Sequence, residues 1–152
     1  MKKTSVLQAE ETRVDHGGFA FMRKRLGAAA GSRQLGVSWF EIEPGKKAFP
    51  FHFHLANEEA VFVLEGAGIL RLGEEEHPIR AGDYIPFTPG PPGHQIINRS
   101  DALLRYLALS TMIEPEVAVY PDSKKIGVLA RTHGIASVHK QDATVDYYEG
   151  ED

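Results

Sequence analysis

Two histidines one residue apart, His52 and His54, stand in the apolar stretch FPFHFHL. Side chains two positions apart on a β-strand point to the same face, so the two imidazoles should project together. If that face is buried, each ring needs a polar partner in a dry environment. A metal ion would satisfy both rings at once, whereas the alternative is a pair of core histidines hydrogen-bonded to the backbone. We favour the metal, because two buried histidines are harder to satisfy than one.

Two adjacent glutamates, Glu58 and Glu59, follow the histidines. Neighbouring residues of a strand point to opposite faces, so only one of these carboxylates can join the imidazoles. The alternation of apolar residues after them leaves open which glutamate it is.

The elements that must position these residues are predicted to be β-strands. From Leu35 onward the chain consists of short β-branched or aromatic runs, with Gly, Pro, Asn or Asp between them. That rhythm is typical of an all-β barrel or sandwich. Turn residues predict hairpins at 65–68, 72–76 and 98–101. Segments that favour helices are nearly absent.

The chain is predicted to form a single domain over residues 1–152. Its core should span about 35–112, with an N-terminal extension at 1–34 and a C-terminal extension at 113–152. The latter reads as an irregular stretch with one further strand. It ends in an acidic tail, because five Asp or Glu residues follow the last basic residue, Lys140. We expect that tail to fray.

The composition excludes several classes of protein. The chain has 152 residues, of which 42% are hydrophobic and 25% charged, as in ordinary globular proteins. The net charge is −4 and no basic cluster is present, so neither a nucleic acid nor a membrane is an expected partner. Cysteine is absent, which rules out disulfides and thiolate metal sites. No apolar segment follows the first lysines, so we expect no signal peptide and a cytoplasmic protein.

The histidine pair lies in a pattern that resembles the first motif of the cupin superfamily, G-x5-H-x-H-x3,4-E-x6-G. The four residues after His54 and the six before Gly66 both fit this motif, and that spacing selects Glu59 over Glu58. The gap between Gly45 and His52 is six residues rather than five.

A second stretch, GDYIPFTPGPPGHQIIN, resembles the second cupin motif, G-x5-P-x-G-x2-H-x3-N. Its matching residues are Gly82, Pro89, Gly90, His94 and Asn98. The spacing from His94 to Asn98 is kept, while the gaps after Gly82 and after Gly90 are each one residue longer. The resemblance covers about residues 35–112.

The resemblance implies a jelly-roll barrel, also called a double-stranded β-helix, that holds one divalent transition metal. The implied ligands are His52, His54, Glu59 and His94. Three imidazoles and a carboxylate suit Zn, Fe, Mn or Ni, and they do not select among these metals. Four protein ligands leave one or two positions for water or substrate, which permits Lewis-acid or redox chemistry.

Three functions remain open on the sequence. The leading hypothesis is a metalloenzyme for a small polar metabolite, similar to the sugar-phosphate isomerase type of cupin. The second is a cupin dioxygenase, and the third is a non-catalytic, metal-dependent protein that binds a small molecule. Fold analogy does not separate them, because function resides in the site.

Candidate substrate-binding residues are Arg71 and Arg105, together with Arg99, which could hold an anion by bidentate hydrogen bonds. The alternative for all three is surface ion pairing. A homodimer is also predicted, because an outward face of large apolar side chains is costly to leave in water. That face would consist of Phe51, Phe53, Phe62 and Leu64.

Overall fold

The protein is described by a computed structural model that covers residues 2–151. Within that range the chain has thirteen strands, one short helix α1 (Leu26–Ala30) and two 3-10 turns (Pro121–Ser123 and Arg131–His133). The strands are β1 (Glu11–His16), β2 (Phe19–Lys24), β3 (Leu35–Ile42), β4 (Phe53–His54), β5 (Glu59–Glu65), β6 (Ala67–Leu72), β7 (Glu75–Arg80), β8 (Tyr84–Phe87), β9 (His94–Ile97), β10 (Leu104–Thr111), β11 (Glu116–Tyr120), β12 (Lys125–Ala130) and β13 (Ile135–Lys140).

Antiparallel sheets make up the molecule, which confirms the all-β jelly roll. A six-stranded sheet has the order β1-β2-β3-β10-β5-β8, and a three-stranded sheet has the order β7-β6-β9. A four-stranded sheet, β13-β12-β11-β4, completes the fold. The core joins the first two sheets, with Ile42, Val63 and Leu104 fully buried at its centre. This core gives the strands that carry the histidines a rigid support.

One of the three predicted hairpins is confirmed, and the other two predictions are wrong. Residues 72–76 connect β6 to β7, which pair with each other. Residues 65–68 instead cross between sheets, because β5 pairs with β10 and β8 while β6 pairs with β7 and β9. Gly66 makes this crossing possible: its φ is +83°, and a Cβ there would collide with the carbonyl oxygen of Leu103.

Residues 98–101 also cross between sheets, from β9 to β10. Asn98, which is fully buried, closes this turn with its side chain. Its Nδ2 donates to the carbonyl oxygens of Ile42 at 2.9 Å and Ala102 at 2.7 Å. The asparagine of the second motif therefore has a structural role here.

Both extensions contribute strands. The N-terminal strands β1 and β2 extend the six-stranded sheet beside β3. The C-terminal extension forms three strands, β11 to β13, so the expectation of one strand is wrong. Tight turns separate these strands, with Lys124 and Gly134 in left-handed conformations. Beyond Lys140 the described residues form turns and no strand.

The predicted outward apolar face is only partly exposed. Phe51 is buried, with the guanidinium carbon of Arg71 lying 3.8 Å from the centroid of its ring, and Phe53 is half-buried. Phe62 and Leu64 are exposed by 38% and 41%, and Tyr84 lies opposite Phe62 in the strand register. Phe51 therefore does not belong to the face, whereas the homodimer stays a prediction.

None of the helices formed by residues 2–151 has both the length and the apolar character needed to cross a membrane.

Candidate metal centre

Backbone pairing brings the predicted ligands close together. His52 and His94 form an isolated antiparallel bridge, in which the His94 N–H donates to the His52 carbonyl oxygen at 2.8 Å. His54 lies in β4, opposite Ala118 of β11. Glu59 is the first residue of β5. Residues from both motifs thus meet in one place.

The imidazoles of the three histidines converge on one carboxylate oxygen of Glu59. Glu59 Oε2 lies 3.9 Å from His52 Nε2, 3.4 Å from His54 Nε2 and 3.3 Å from His94 Nε2. Ligand atoms of His52, His54 and Glu59 all lie within 4.8 Å of one another, so this group could hold a metal ion. His94 adjoins the group through Glu59.

Glu58 does not take part, because its side chain is exposed to solvent. Its main chain pairs instead with Thr111, whose Oγ1 accepts a hydrogen bond from the Glu58 N–H at 3.0 Å. Glu59, the glutamate that the count to Gly66 selects, is therefore the one whose carboxylate lies beside the imidazoles, and its role as a metal ligand stays a prediction.

His52 is oriented by a backbone carbonyl. Its Nδ1 lies 2.8 Å from the oxygen of Pro50, which can only accept, so Nδ1 carries a proton and Nε2 is left facing Glu59. Burial, together with the neighbouring His94, lowers the pKa of His52 to about 4. The neutral ring with a free Nε2 is the form that a metal binds.

His54 is backed by a buried carboxylate that the sequence analysis missed. Its Nδ1 has no hydrogen-bond partner within residues 2–151 and lies 3.6 Å from Glu116 Oε2. Glu116 is only 2% exposed and accepts from the backbone N–H groups of Leu55, Ala56 and Asn57. The Asn57 side-chain amide also donates to it. A carboxylate behind a ligating histidine is a common way to fix the ring.

Glu116 is hard to recognise in the sequence. It is the first residue of the apolar run EVAVY, where a charged residue usually marks the exposed end of a strand. An inward carboxylate at that position becomes evident only when β11 is paired with β4.

The electrostatics of the centre favour an ionised Glu59. Burial alone would raise its pKa, but a hydrogen bond from His94 and the three nearby imidazoles lower it. Burial and the charge of Glu59 raise the pKa values of Tyr106 and Tyr120, so both phenols stay protonated near neutral pH.

His94 is held in place by Phe87, whose ring stacks on the imidazole with 3.9 Å between the two centroids.

A cavity of about 300 Å³ lies over these residues and adjoins a second cavity of about 400 Å³. His54 and Glu59 line both, and Tyr106 and Tyr120 line the smaller one. Two arginines, Arg23 and Arg131, also line both cavities. The sequence analysis missed them, because they belong to the two extensions.

The arginines predicted from the sequence lie elsewhere, in ion pairs. Arg71 Nη1 lies 2.6 Å from Asp122 Oδ2. Arg105 bridges Glu41 at 2.7 Å and Glu65 at 2.6 Å. Neither of these arginines lines the two cavities. The third candidate, Arg99, pairs with Glu76 at the surface. A role of Arg71 or Arg105 in substrate binding stays a prediction.

The donor set fits a divalent transition metal. Imidazole nitrogens and a carboxylate oxygen are the ligands of Zn, Fe, Mn and Ni sites, and no thiolate is available because the chain has no cysteine. The backbone-fixed ring of His52 and the buried carboxylate behind His54 are supports of the kind that such ligands need.

Residues 38–110 match the family described as Cupin domain. This match contains all four residues at the centre, and together with the jelly-roll fold it identifies residues 38–110 as a cupin domain.

Two solved structures are similar to this chain over nearly its whole length. One, a "putative sugar phosphate isomerase" from Acidithiobacillus ferrooxidans, has a TM-score of 0.83 and 28% identity, covering 93% of this chain and 91% of that one. Another, a sugar phosphate isomerase of the cupin superfamily from Silicibacter pomeroyi, has a TM-score of 0.83 and 29% identity, covering 97% and 98%.

An uncharacterized protein of Methanocaldococcus jannaschii is 36% identical over 59 residues, which are 39% of this chain. The chain spans only 46% of the length of that relative.

Proposed function

We propose that this protein is a metal-dependent enzyme acting on a small polar metabolite. Its single divalent transition metal would be held by His52, His54, Glu59 and His94. The observation that carries this proposal is the convergence of three imidazole Nε2 atoms on one carboxylate oxygen beside a cavity of about 300 Å³. That volume is at the lower end of the range for small-molecule sites, roughly 300–1,000 Å³.

Sugar-phosphate isomerisation is the leading reaction. Two similar structures, at 28% and 29% identity over nearly the whole chain, carry that activity in their names. A bound metal would act as a Lewis acid that polarises the substrate carbonyl. Tyr106 and Tyr120 would hold their protons on the phenolic oxygens and donate hydrogen bonds to substrate oxygens. Phe49 and Phe87, which line the same cavity, would limit the access of water.

The first test is the metal content of the purified, untagged protein. Metal-loaded protein is then incubated with aldose and ketose phosphates, and separately with dioxygen plus small carboxylates and diketones. Interconversion of a sugar phosphate that Glu59→Gln abolishes and Glu58→Gln preserves would support the isomerase.

The same experiment decides between the alternatives. Turnover of the second panel alone, with iron as the metal, would replace the isomerase with a dioxygenase. No turnover in either panel, together with tight binding of one metabolite, would favour a non-catalytic binding protein. A protein that takes up no divalent metal would overturn the metal centre itself.

We also propose that the chain forms a homodimer. The supporting observation is the exposed apolar face formed by Phe62, Leu64 and Tyr84 on β5 and β8, since β8 is an edge strand of the large sheet. Covering large apolar side chains stabilises an assembly by about 25 cal/mol for each Å² buried.

A further inference from the structure

Arg23 presents a guanidinium with an unsatisfied Nε–H group to the cavities over the candidate centre. It lies in β2, opposite Phe40 of β3, and its half-buried side chain lines both cavities. Its Nε atom is out of contact with solvent and has no hydrogen-bond partner within residues 2–151. No carboxylate oxygen of the described chain lies within the 4.0 Å of an ion pair with it, in contrast to Arg71 and Arg105.

The unsatisfied Nε–H group of Arg23 is unfavourable for folding. Burial, helped by the charge of Arg25, lowers the pKa of Arg23, but a guanidinium keeps its charge in proteins. A buried N–H group without a partner costs free energy, and native proteins leave few such groups unsatisfied. A ligand bound in the cavity would remove this cost by accepting a hydrogen bond from the Nε–H group of Arg23.

A second guanidinium reaches the same cavities from the other end of the chain. Arg131 follows β12, and its only carboxylate contact among the described residues is Glu114 Oε1 at 3.8 Å, too long for a hydrogen bond. The other oxygen of Glu114 is occupied by Thr132, which donates to it from both N–H and Oγ1. The planar fork of Arg131 is thus free to bind another group.

We propose that Arg23 and Arg131 form an oxyanion subsite, which binds the phosphate or carboxylate group of a small substrate whose other end lies at the metal. The subsite deepens the proposed function and rests on it. Guanidinium groups suit this task because their parallel N–H groups match the oxygens of phosphate and carboxylate.

The test measures binding of four probes to the metal-loaded full chain by calorimetry: inorganic phosphate, glucose 6-phosphate, glucose and gluconate. Arg23→Gln should weaken binding of the anionic probes by roughly 10- to 100-fold, the usual worth of hydrogen bonds to a charged group. Arg131→Gln should have a smaller effect of the same sign. Arg13→Gln is the matched control, since Arg13 is an exposed arginine of the neighbouring strand, and it should leave binding unchanged.

The probes distinguish the two kinds of anion. Tighter binding of glucose 6-phosphate than of glucose, lost in Arg23→Gln, identifies a phosphate subsite. The same pattern with gluconate identifies a carboxylate subsite. Equal affinity of glucose and both anions would overturn the subsite. So would loss of binding in Arg71→Gln or Arg105→Gln with Arg23→Gln unaffected.

Two further measurements separate folding and metal effects from anion binding. Without ligand, Arg23→Gln should unfold at a temperature at least as high as the wild type, because it removes the buried Nε–H group that has no partner. Arg23→Lys should keep part of the phosphate affinity, because it keeps the charge and loses the fork. Metal content is measured for every variant. If the wild type has a normal metal content and binds no anion, the subsite alone is overturned. If the wild type takes up no divalent metal but binds phosphate in a way that depends on Arg23, the proposed function alone is overturned.

Discussion

Replacing Glu116 by alanine should destabilise the protein and disturb the centre that it supports. The Glu116 carboxylate binds the loop between β4 and β5, which carries His54 at one end and Glu59 at the other. Removing that carboxylate frees the loop and leaves His54 Nδ1 without its neighbouring charge at 3.6 Å. Stability and metal affinity should therefore fall together.

The expected loss of stability follows from the hydrogen bonds that would be broken. The Leu55 N–H also donates to Val117, so it keeps a partner, and Ala56 is only partly buried. The backbone N–H of Asn57 is buried and would lose its acceptor, and the Asn57 side-chain amide would lose one of two acceptors. At about 1–3 kcal/mol for each buried donor, the free energy of unfolding should fall by roughly 2–6 kcal/mol.

Urea denaturation of metal-free protein in the presence of a chelator measures this change, and calorimetric titration with zinc measures the affinity. Loss of such a supporting carboxylate typically lowers metal affinity by about 10- to 100-fold. Glu58→Ala is the control, because that side chain is exposed, and its effect on stability should stay within about 0.5 kcal/mol. A Glu116→Ala protein with wild-type stability and wild-type zinc affinity would refute the reasoning.

Four further changes test the site and the assembly. His94→Ala should remove most of the metal measured per chain, and an unchanged content would exclude His94 as a ligand. Glu59→Gln should weaken zinc binding strongly while Glu58→Gln hardly alters it, and the reverse order would show that the strand phase is misassigned. Zinc affinity should fall below about pH 6, because protons compete for the imidazoles. The pKa of His52 is lowered to about 4, so this ring stays neutral in the folded, metal-free chain and adds to that competition only at lower pH. A zinc affinity that stays constant from about pH 7 to 5 would contradict the expected fall. Phe62→Glu should split a homodimer in light scattering, whereas a wild-type chain that already behaves as a 16.8 kDa species would rule the dimer out.

The inner face of the centre could be predicted from local sequence. His52 and His54 share a face because the strand repeat of two residues is a local property. The count from Glu59 to Gly66 in the first motif selected the glutamate whose carboxylate lies beside the imidazoles, and the second motif pointed to His94. That these residues bind a metal stays a prediction. The all-β class was equally accessible, since β-branched runs and turn residues alternate along the chain.

Pairing between distant strands decided the rest. The turns at 65–68 and 98–101 look like hairpins, but a turn closes a hairpin only if its two strands pair, and here each strand finds partners in a different sheet. Phe51 alternates with His52 as an outward residue, yet Arg71 covers it. Whether a side chain is exposed depends on what packs over it, and the alternation of residues along one strand does not predict such contacts.

The residues that surround the centre depend most on tertiary structure. Glu116 and Arg131 come from the C-terminal extension and Arg23 from the N-terminal one, outside the segment that matches the cupin family. In the sequence each is one charged residue among many. They reach the histidines only because β11 pairs with β4 and β2 pairs with β3. Ligand spacing is a local property of one strand, whereas the charges that orient the ligands and receive a substrate are brought together by contacts between segments far apart in the chain.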